Sequence, residues 1–341
     1  MSRLSRTVGS CLALLVASMT TLNGQTYHIV KTFTLGGDGG WDYVALDTVG
    51  HRLFVARQTR VMVIDPETGK LLAEIPGLNR AHGVAFSYAS GKGFATSGGD
   101  SSVVIFDLKK LQVLSRTTAA VDADAILFDP ATKRIFTFNG DAGSSSVIDP
   151  ASGHRIGSID LGGKPEFAVS TGDGKLFVNL EDSSQVVEID PAAMKVTRRW
   201  SLAPCQEPSG LALDRAHNRL FSGCRNQVMA ISDAAAGKLI TTVPIGQGVD
   251  ACRFDAGTQL AFASNGDGTL TVIHEDTPDK FTVVGNVATK RGARTMEVDL
   301  KTHRVFTVSA DFGPPPAPTP DRPRPRPPVL SGTFALLELD P

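Results

Sequence analysis

Arg52-Leu-Phe-Val-Ala56 is the first copy of a short pattern that recurs along the chain. Each copy opens with Arg, Lys or Gln and places a phenylalanine among strand-forming residues. The other copies are Lys92-Gly-Phe-Ala-Thr96, Arg134-Ile-Phe-Thr-Phe138, Lys175-Leu-Phe-Val-Asn179, Arg219-Leu-Phe-Ser-Gly223, Gln259-Leu-Ala-Phe-Ala263 and Arg304-Val-Phe-Thr-Val308. Their phenylalanines follow one another at intervals of 40 to 44 residues. A regular period of this length indicates a repeat fold built from one supersecondary unit.

The residues around each copy divide the unit into four short strands. In the first unit, Val44-Ala-Leu-Asp47 precedes the phenylalanine strand, and Val61-Met-Val-Ile-Asp65 and Lys70-Leu-Leu-Ala-Glu-Ile75 follow it. The strands are rich in Val, Ile, Phe and Thr, which fit a pleated surface, and Pro and Gly mark the turns. Four short strands in about 40 residues are typical of one propeller blade. The sequence therefore predicts an all-β, seven-bladed β-propeller with four-stranded antiparallel blades.

The two ends of the chain are expected to close this ring. After Arg304–Ser309 only one more strand is evident, Thr333–Leu339, so the seventh blade lacks its fourth strand. The segment Tyr27–Leu35 can supply it and remove the open edge. We therefore interpret residues 25–341 as a single propeller domain, interrupted by a Pro-rich loop insertion at 313–328. That insertion has nine prolines between Pro314 and Pro328, and it is either a tolerated loop or a cationic arm over the top face.

Several segments resemble the repeats of the YVTN-repeat (YncE-like) family of exported bacterial β-propellers. They are Phe136-Thr-Phe-Asn139, Phe177-Val-Asn179, Phe262-Ala-Ser-Asn265 and the turn Val63-Ile-Asp-Pro-Glu-Thr-Gly69. The resemblance covers residues 27–341, although several repeats lack the asparagine. It implies a seven-bladed propeller that acts mainly as a binding protein. Related propellers include lactonases and lyases, so the fold alone does not determine the function.

The N-terminus predicts export. Arg3 and Arg6 precede the short apolar run Cys11–Ala17, and we interpret residues 1–24 as a signal peptide. The protein is then periplasmic or secreted, with no transmembrane segment and with access to disulfide chemistry. Cys205 and Cys224 flank one predicted hairpin and are the expected pair, which leaves Cys252 free; three reduced, buried thiols are the alternative. The near balance of 34 basic and 35 acidic residues argues against a nucleic-acid partner.

Candidate functional residues come from the position just before or within the innermost strand of each unit. In a propeller these side chains point into the axial funnel at the top face. Alignment of the units places there Asp42, His82, Asp124, Glu166, Ser209, Asp250 and Arg294. Carboxylates that converge on an axis raise one another's pKa or recruit a cation, so Asp42, Asp124 and Asp250 are candidate ligands of a divalent cation. The alternative is that these residues merely line a water-filled channel.

The loops between the second and third strands share this face, and turn formation is their expected role. They contribute Arg57, Gln58, Asp100, Asn139, Asp141, Asn179, Glu181, Arg225, Asn226, Asn265 and Asp267.

From these residues we predict a monomeric, exported binding or interaction propeller. Its top-face funnel holds a small molecule or a protein ligand. The alternative is a metal-assisted lactonase- or lyase-type enzyme that uses the same funnel, with His82 as the candidate general base. No nucleophile elbow and no zinc-type Cys or His spacing is present in the sequence, so the enzyme interpretation rests on the funnel alone.

Overall fold

The computed structural model describes residues 27–319 and 325–341. The predicted signal peptide, residues 1–24, lies outside the described residues. The described chain is almost entirely strand and turn, with two short 3-10 helices, Tyr88–Ser90 and Gly98–Asp100. Among the described residues no helix has the length and apolar character needed to cross a bilayer.

The strands are numbered in chain order. They are β1 (His28–Thr34), β2 (Val44–Asp47), β3 (Arg52–Ile64), β4 (Leu71–Ser87), β5 (Lys92–Ser97), β6 (Ser102–Asp107), β7 (Val113–Thr118), β8 (Ala123–Asp129), β9 (Arg134–Asn139), β10 (Ser144–Ile148), β11 (Arg155–Asp160), β12 (Pro165–Ser170), β13 (Leu176–Leu180), β14 (Gln185–Asp190), β15 (Lys195–Ser201), β16 (Pro208–Asp214), β17 (Arg219–Cys224), β18 (Val228–Asp233), β19 (Lys238–Pro244), β20 (Val249–Asp255), β21 (Leu260–Asn265), β22 (Thr269–Thr277), β23 (Lys280–Ala288), β24 (Met296–Asp299), β25 (Arg304–Ser309) and β26 (Ala335–Asp340).

These strands form six antiparallel sheets in the described residues. Sheet 1 contains β2–β7, sheet 2 contains β8–β11, sheet 3 contains β12–β15, sheet 4 contains β16–β19, and sheet 5 contains β20–β23. Sheet 6 has the order β1-β26-β25-β24. The fold is therefore an all-β propeller whose typical blade is a four-stranded antiparallel meander.

The predicted number of seven blades is wrong, because the described residues form six sheets and sheet 1 has six strands. Strand β3 continues through Gln58 without a break, and β4 runs without interruption from Leu71 to Ser87. Gln58 pairs with Ala81, so the ladder continues between the first two sequence repeats. The segment 57–60 contains no glycine, proline or asparagine to interrupt it. Two repeats of the sequence thereby share one sheet.

The recurring phenylalanines form the centre of the packing between strands. They are Phe54, Phe94, Phe136, Phe177, Phe221, Phe262 and Phe306, and all are fully buried. Burial of a side chain of this size contributes roughly 1.5–3 kcal/mol. The repeat that predicts the fold is thus also the repeat that supplies its core.

The N-terminal strand completes sheet 6, as the sequence predicts. β1 pairs with β26 from His28 opposite Asp340 to Thr34 opposite Ala335. Just before β1, the buried ring of Tyr27 meets Phe262 edge to face with centroids 5.1 Å apart. The Tyr27 hydroxyl donates a hydrogen bond of 2.8 Å to the carbonyl oxygen of His303. The start of the chain is therefore fastened to both sheet 5 and sheet 6.

Cys205 and Cys224 form a disulfide, which is the pairing expected from the sequence, and Cys252 is free and buried. The bridge links the loop before β16 to the end of β17 within sheet 4. Both sulfurs lie in a buried cluster with Trp200, Leu202 and Leu211. The bridge therefore belongs to the core of this sheet and holds its top-face loop in place.

Replacement of both bridged cysteines by alanine is expected to cost about 3 kcal/mol, since the bridge closes a loop of 19 residues. For a domain of this size that corresponds to a fall in Tm of roughly 6–12 °C. Differential scanning calorimetry measures this fall in Tm.

Alkylation of the denatured, non-reduced protein should label Cys252 alone among the three cysteines beyond residue 27. Labelling of all three would show that the bridge does not form in solution.

Candidate functional site

The predicted axial residues converge on one cavity of about 370 Å³. The inner strands deliver them: Asp124, Glu166, Ser209 and Asp250 lie at the starts of β8, β12, β16 and β20, while Asp42 and Arg294 precede β2 and β24. All six line the cavity. His82, in β4, does not line it but contacts Asp42 from behind. We refer to this cavity and its lining as the funnel. The structure thus brings together the seven residues singled out in the sequence.

His82 lies between two carboxylates. Its Nδ1 is 2.5 Å from Asp42 Oδ2 and 3.4 Å from Asp124 Oδ1. Burial opposes the charged imidazolium, but the hydrogen bond to Asp42 and the charge of Asp124 outweigh it and raise the pKa of His82 to about 9. His82 is therefore protonated at neutral pH. A protonated ring cannot accept a proton, so this geometry argues against the general-base role considered for His82.

Arg294 neutralises part of the opposite wall. Its Nε forms an ion pair with Asp250 Oδ2 at 2.7 Å, and its Nη2 lies 3.6 Å from Asp42 Oδ1. The same Nη2 donates to the carbonyl oxygen of Trp41 at 3.4 Å. The side chain is thus engaged by two carboxylates and one carbonyl. It holds Asp42 and Asp250 near each other and has little capacity left to clamp an acidic ligand.

The other carboxylates of the funnel have only partial charge compensation from neighbouring cations. Glu166 Oε1 lies 3.6 Å from Lys164 Nζ, which makes a closer contact of 2.6 Å with Glu181. Burial, followed by neighbouring carboxylate charges, raises the pKa of Glu166 well above its usual range. Burial also raises the pKa values of Asp124 and Asp250, although His82 and Arg294 oppose the shift. The funnel therefore keeps protons on part of its carboxyl groups at neutral pH, because it has too few cations to pair with all of them in the charged form.

Tyr43 forms the floor of the funnel. Its side chain is 7% exposed, and its ring packs edge to face on Phe167 with centroids 5.3 Å apart. Below it lies a second axial cavity of about 120 Å³, which Tyr43 also lines. Among the described residues its hydroxyl makes no hydrogen bond. Burial, with the charges of Asp124, Glu166, Asp42 and Asp250, raises the pKa of this hydroxyl strongly, so it stays protonated and is available as a donor.

Other funnel residues were not identified as ligand contacts from the sequence. They are Tyr43, Glu181, Glu207, Arg225 and Arg326. Glu181 and Arg225 were interpreted as turn residues, although each follows a second strand at the face that the funnel occupies. Arg326 belongs to the Pro-rich insertion, which leaves sheet 6 through the pairing of Phe312 with Val329. The described part of that insertion therefore reaches the funnel rim.

Gly98 leaves room for the His82 ring. A Cβ at this position would lie 2.9 Å from His82 Cδ2 and Nε2 and 3.2 Å from the Ala123 carbonyl oxygen. Gly98→Ala is therefore expected to displace the ring from Asp42 at a cost of about 1–3 kcal/mol. NMR titration of the His82 imidazole measures the result as a pKa that falls toward the ordinary value. Gly91→Ala is the matched control, because its Cβ meets no atom within 4 Å, although its positive φ carries a local strain. An unchanged His82 titration in Gly98→Ala would contradict the packing described.

Comparison with known proteins supports the fold and does not extend to a family. No family profile matches the chain, and no curated relative matches it in sequence. The solved structure of U3-55K superposes with a TM-score of 0.73 at 9% identity, covering 91% of this chain and 98% of that one. The WD40 repeats of RRP9 give a TM-score of 0.74 at 10% identity, covering 92% and 97%.

A chain of Kuenenia stuttgartiensis hydrazine synthase is also similar, with a TM-score of 0.51 at 16% identity, covering 73% of this chain and 99% of that one. At these identities the likeness concerns the fold alone. The chain is thus a β-propeller with WD40 propellers among its structural neighbours.

Proposed function

We propose that this protein is an exported β-propeller of the YVTN-repeat type that binds a small, polar, positively charged ligand in its funnel. One observation carries the proposal: Asp42, Asp124, Glu166 and Asp250 line one cavity of about 370 Å³. Such a cavity has room for a small molecule but is too polar for an apolar one. A ligand cation would replace the protons that these carboxyl groups retain and would pair with them in the charged form.

The Tyr43 hydroxyl would orient a ligand in this site, because it can donate a hydrogen bond from one end of the funnel. It is a protonated donor at the floor, while the carboxylates above it are acceptors. A ligand with a cationic group among the carboxylates and an acceptor atom near Tyr43 would satisfy both. Arg326 at the rim favours a ligand that also carries an anionic or strongly polar end, whereas Arg225 is already paired with Glu207.

The proposed location is the periplasm or the cell exterior, and the proposed state is a monomer. The signal-like residues 1–24 and the disulfide support export, since such bridges persist in oxidising compartments. A protein ligand that inserts a lysine or arginine side chain into the funnel would use the same chemistry as a small amine.

Thermal stabilisation tests the proposal. The purified protein is screened with organic amines, amino acids, small lactones and the chlorides of calcium, magnesium, manganese and zinc. A funnel ligand at a hundredfold excess over its Kd stabilises the fold by about 2.7 kcal/mol. The stabilisation should vanish in the double variant Asp124→Asn, Asp250→Asn and persist in Asp173→Asn, an exposed carboxylate outside the funnel. Stabilisation by an organic cation that survives the double variant would exclude the funnel as the site of that ligand.

A metal-assisted lactonase or lyase is the second candidate, favoured by one observation. Ligand atoms of Asp42, His82 and Asp124 lie within 4.8 Å of one another, close enough to share a divalent cation. To bind this cation, His82 must lose its proton, which Asp42 and Asp124 stabilise on the imidazole ring. Lactone turnover that depends on an added divalent cation and is lost in His82→Gln would favour the enzyme. Cation binding without turnover would favour the binding protein.

A further inference from the structure

A second cluster of ionisable residues lies far from the funnel, at the contact between sheet 4 and sheet 5. Asp214 is the last residue of β16, His217 lies in the turn that follows it, and Glu275 lies in β22 of the neighbouring sheet. Ser209 of the funnel is five residues earlier in β16, so the cluster is about 17 Å away along the strand. No part of the proposed ligand site involves these residues.

The three side chains meet without forming ordinary hydrogen bonds. His217 Nδ1 lies 2.7 Å from Asp214 Oδ2 and 2.9 Å from Glu275 Oε1. Neither contact has hydrogen-bond geometry, and His217 Nδ1 and both oxygens of Glu275 are buried atoms with no hydrogen-bond partner among the described residues. Glu275 is 4% exposed. A buried carboxylate with both oxygens unpartnered indicates a missing positive partner.

The neighbouring cation Arg219 does not fill that role, because its donors are engaged elsewhere. Arg219 donates to the carbonyl oxygens of Pro278 at 2.6 Å and His217 at 2.8 Å, and to Asp279. Asp214 is held in place by the backbone N–H groups of Ala216 and His217. The cluster thus presents two oriented carboxylates and one imidazole around a common point.

An aspartate at the corresponding end of the neighbouring sheet contacts a histidine with no second carboxylate among the described residues. Asp255 ends the inner strand of sheet 5 as Asp214 ends that of sheet 4. It forms an ordinary hydrogen bond of 2.6 Å with His303 Nδ1, and its other oxygen accepts the N–H of Gly257. This aspartate thus pairs with a histidine without a third side chain, although His303 comes from a turn of sheet 6 and His217 from the turn that follows Asp214. The added, unpartnered Glu275 is what distinguishes the cluster in sheet 4.

We propose that Asp214, His217 and Glu275 bind one divalent transition-metal ion, with Zn²⁺ the best match, and that this ion ties sheet 4 to sheet 5. One imidazole nitrogen with two carboxylate oxygens is a donor set that zinc accepts, with water in the fourth position. Calcium requires more oxygen ligands than the cluster offers. The His217 side chain is 37% exposed, which gives an ion a route from solvent.

Titration with zinc chloride tests this proposal on the full mature protein after dialysis against a chelator. Isothermal calorimetry gives the affinity, and native mass spectrometry gives the stoichiometry. We expect one zinc ion at this cluster and a rise in Tm when it binds. Glu275→Gln and His217→Gln should each weaken binding at least about 10-fold and abolish the rise in Tm. His303→Gln, the matched control, should bind zinc as the wild type does.

The outcomes separate the cluster from the funnel and from a simple ion pair. Zinc binding that is lost in His82→Gln but retained in His217→Gln would place the metal in the funnel and overturn the proposal. The proposal also fails if zinc leaves the wild-type Tm unchanged while metal-free Glu275→Gln is less stable, because Glu275 then acts only as a partner of His217. The half-exposed His217 provides a variant that folds even if Glu275→Gln does not.

Discussion

Removal of Tyr27–Leu35 is expected to leave the protein aggregated or unfolded. These residues supply β1, which forms one edge of sheet 6 and pairs with β26 along its length. Without β1, the ladder of β26 becomes an open edge, and the buried contact between Tyr27 and Phe262 is lost. Loss of one large buried aromatic costs about 3–5 kcal/mol, which is already a large part of a typical stability of roughly 5–15 kcal/mol.

Size-exclusion chromatography and thermal melting measure this effect. Thr32→Ala is the matched control, because Thr32 is an exposed residue of the same strand and its replacement leaves the pairing intact. Tyr27→Ala should fall between the two, with a loss of about 3–5 kcal/mol. A truncated chain that stays monomeric with the wild-type Tm would contradict closure of the ring by β1.

The second large effect is a loss of stability as the pH rises. Burial and mutual repulsion raise the pKa values of Asp124, Glu166 and Asp250 in the native state. The native protein then binds more protons than the unfolded chain, so stability falls as pH rises from the ordinary carboxyl range near pH ~4. His82 acts in the same direction: the stabilisation from its pKa of about 9 is lost as the pH passes that value.

Melting curves without ligand should therefore show Tm decreasing between about pH 5 and pH 9. Each unit of pKa difference between the native and unfolded states corresponds to about 1.4 kcal/mol of stability. For a chain of this size, each kcal/mol shifts Tm by about 2–4 °C, so the change is easily measured. Asp124→Asn with Glu166→Gln should flatten the slope, whereas the exposed Asp173→Asn should not. An equal slope in the funnel variant would show that these carboxyl groups have ordinary pKa values. A cationic ligand should bind more tightly at higher pH, because it displaces the shared protons.

The sequence predicts the parts of the fold that depend on side-chain periodicity. The recurring phenylalanines are buried, and the missing last strand correctly points to the N-terminal strand as its replacement. The number of sheets was predicted wrongly, because pairing such as that of Gln58 with Ala81 depends on backbone register, which leaves no side-chain pattern. A repeat count therefore gives the number of units but not the boundaries between sheets.

The funnel was predictable in position but not in electrostatic state. Alignment of the repeats locates Asp42 and His82, but the protonation of His82 depends on distances that only the folded chain defines. In the sequence, Tyr43 looks like an ordinary core residue next to Asp42. Its role at the funnel is not visible there, because the carboxylates that act on its hydroxyl come mostly from distant repeats. Arg57 was placed among the funnel-face loops. Its side chain is instead fully buried and donates hydrogen bonds to backbone carbonyl oxygens such as that of Asp38. Its guanidinium carbon lies 3.6 Å from the centroid of the Phe334 ring.

Native mass spectrometry of the protein purified from the cells that produce it naturally tests the funnel site most directly. We expect a mass above that of the bare chain, and we expect the excess to be lost at mildly acidic pH as the funnel carboxylates take up protons. The same excess mass should be absent from the double variant Asp124→Asn, Asp250→Asn and present in both Asp173→Asn and Glu275→Gln. A wild-type mass equal to that of the bare chain, or an excess mass other than that of a bound zinc ion that survives the double variant, would contradict a ligand site in the funnel.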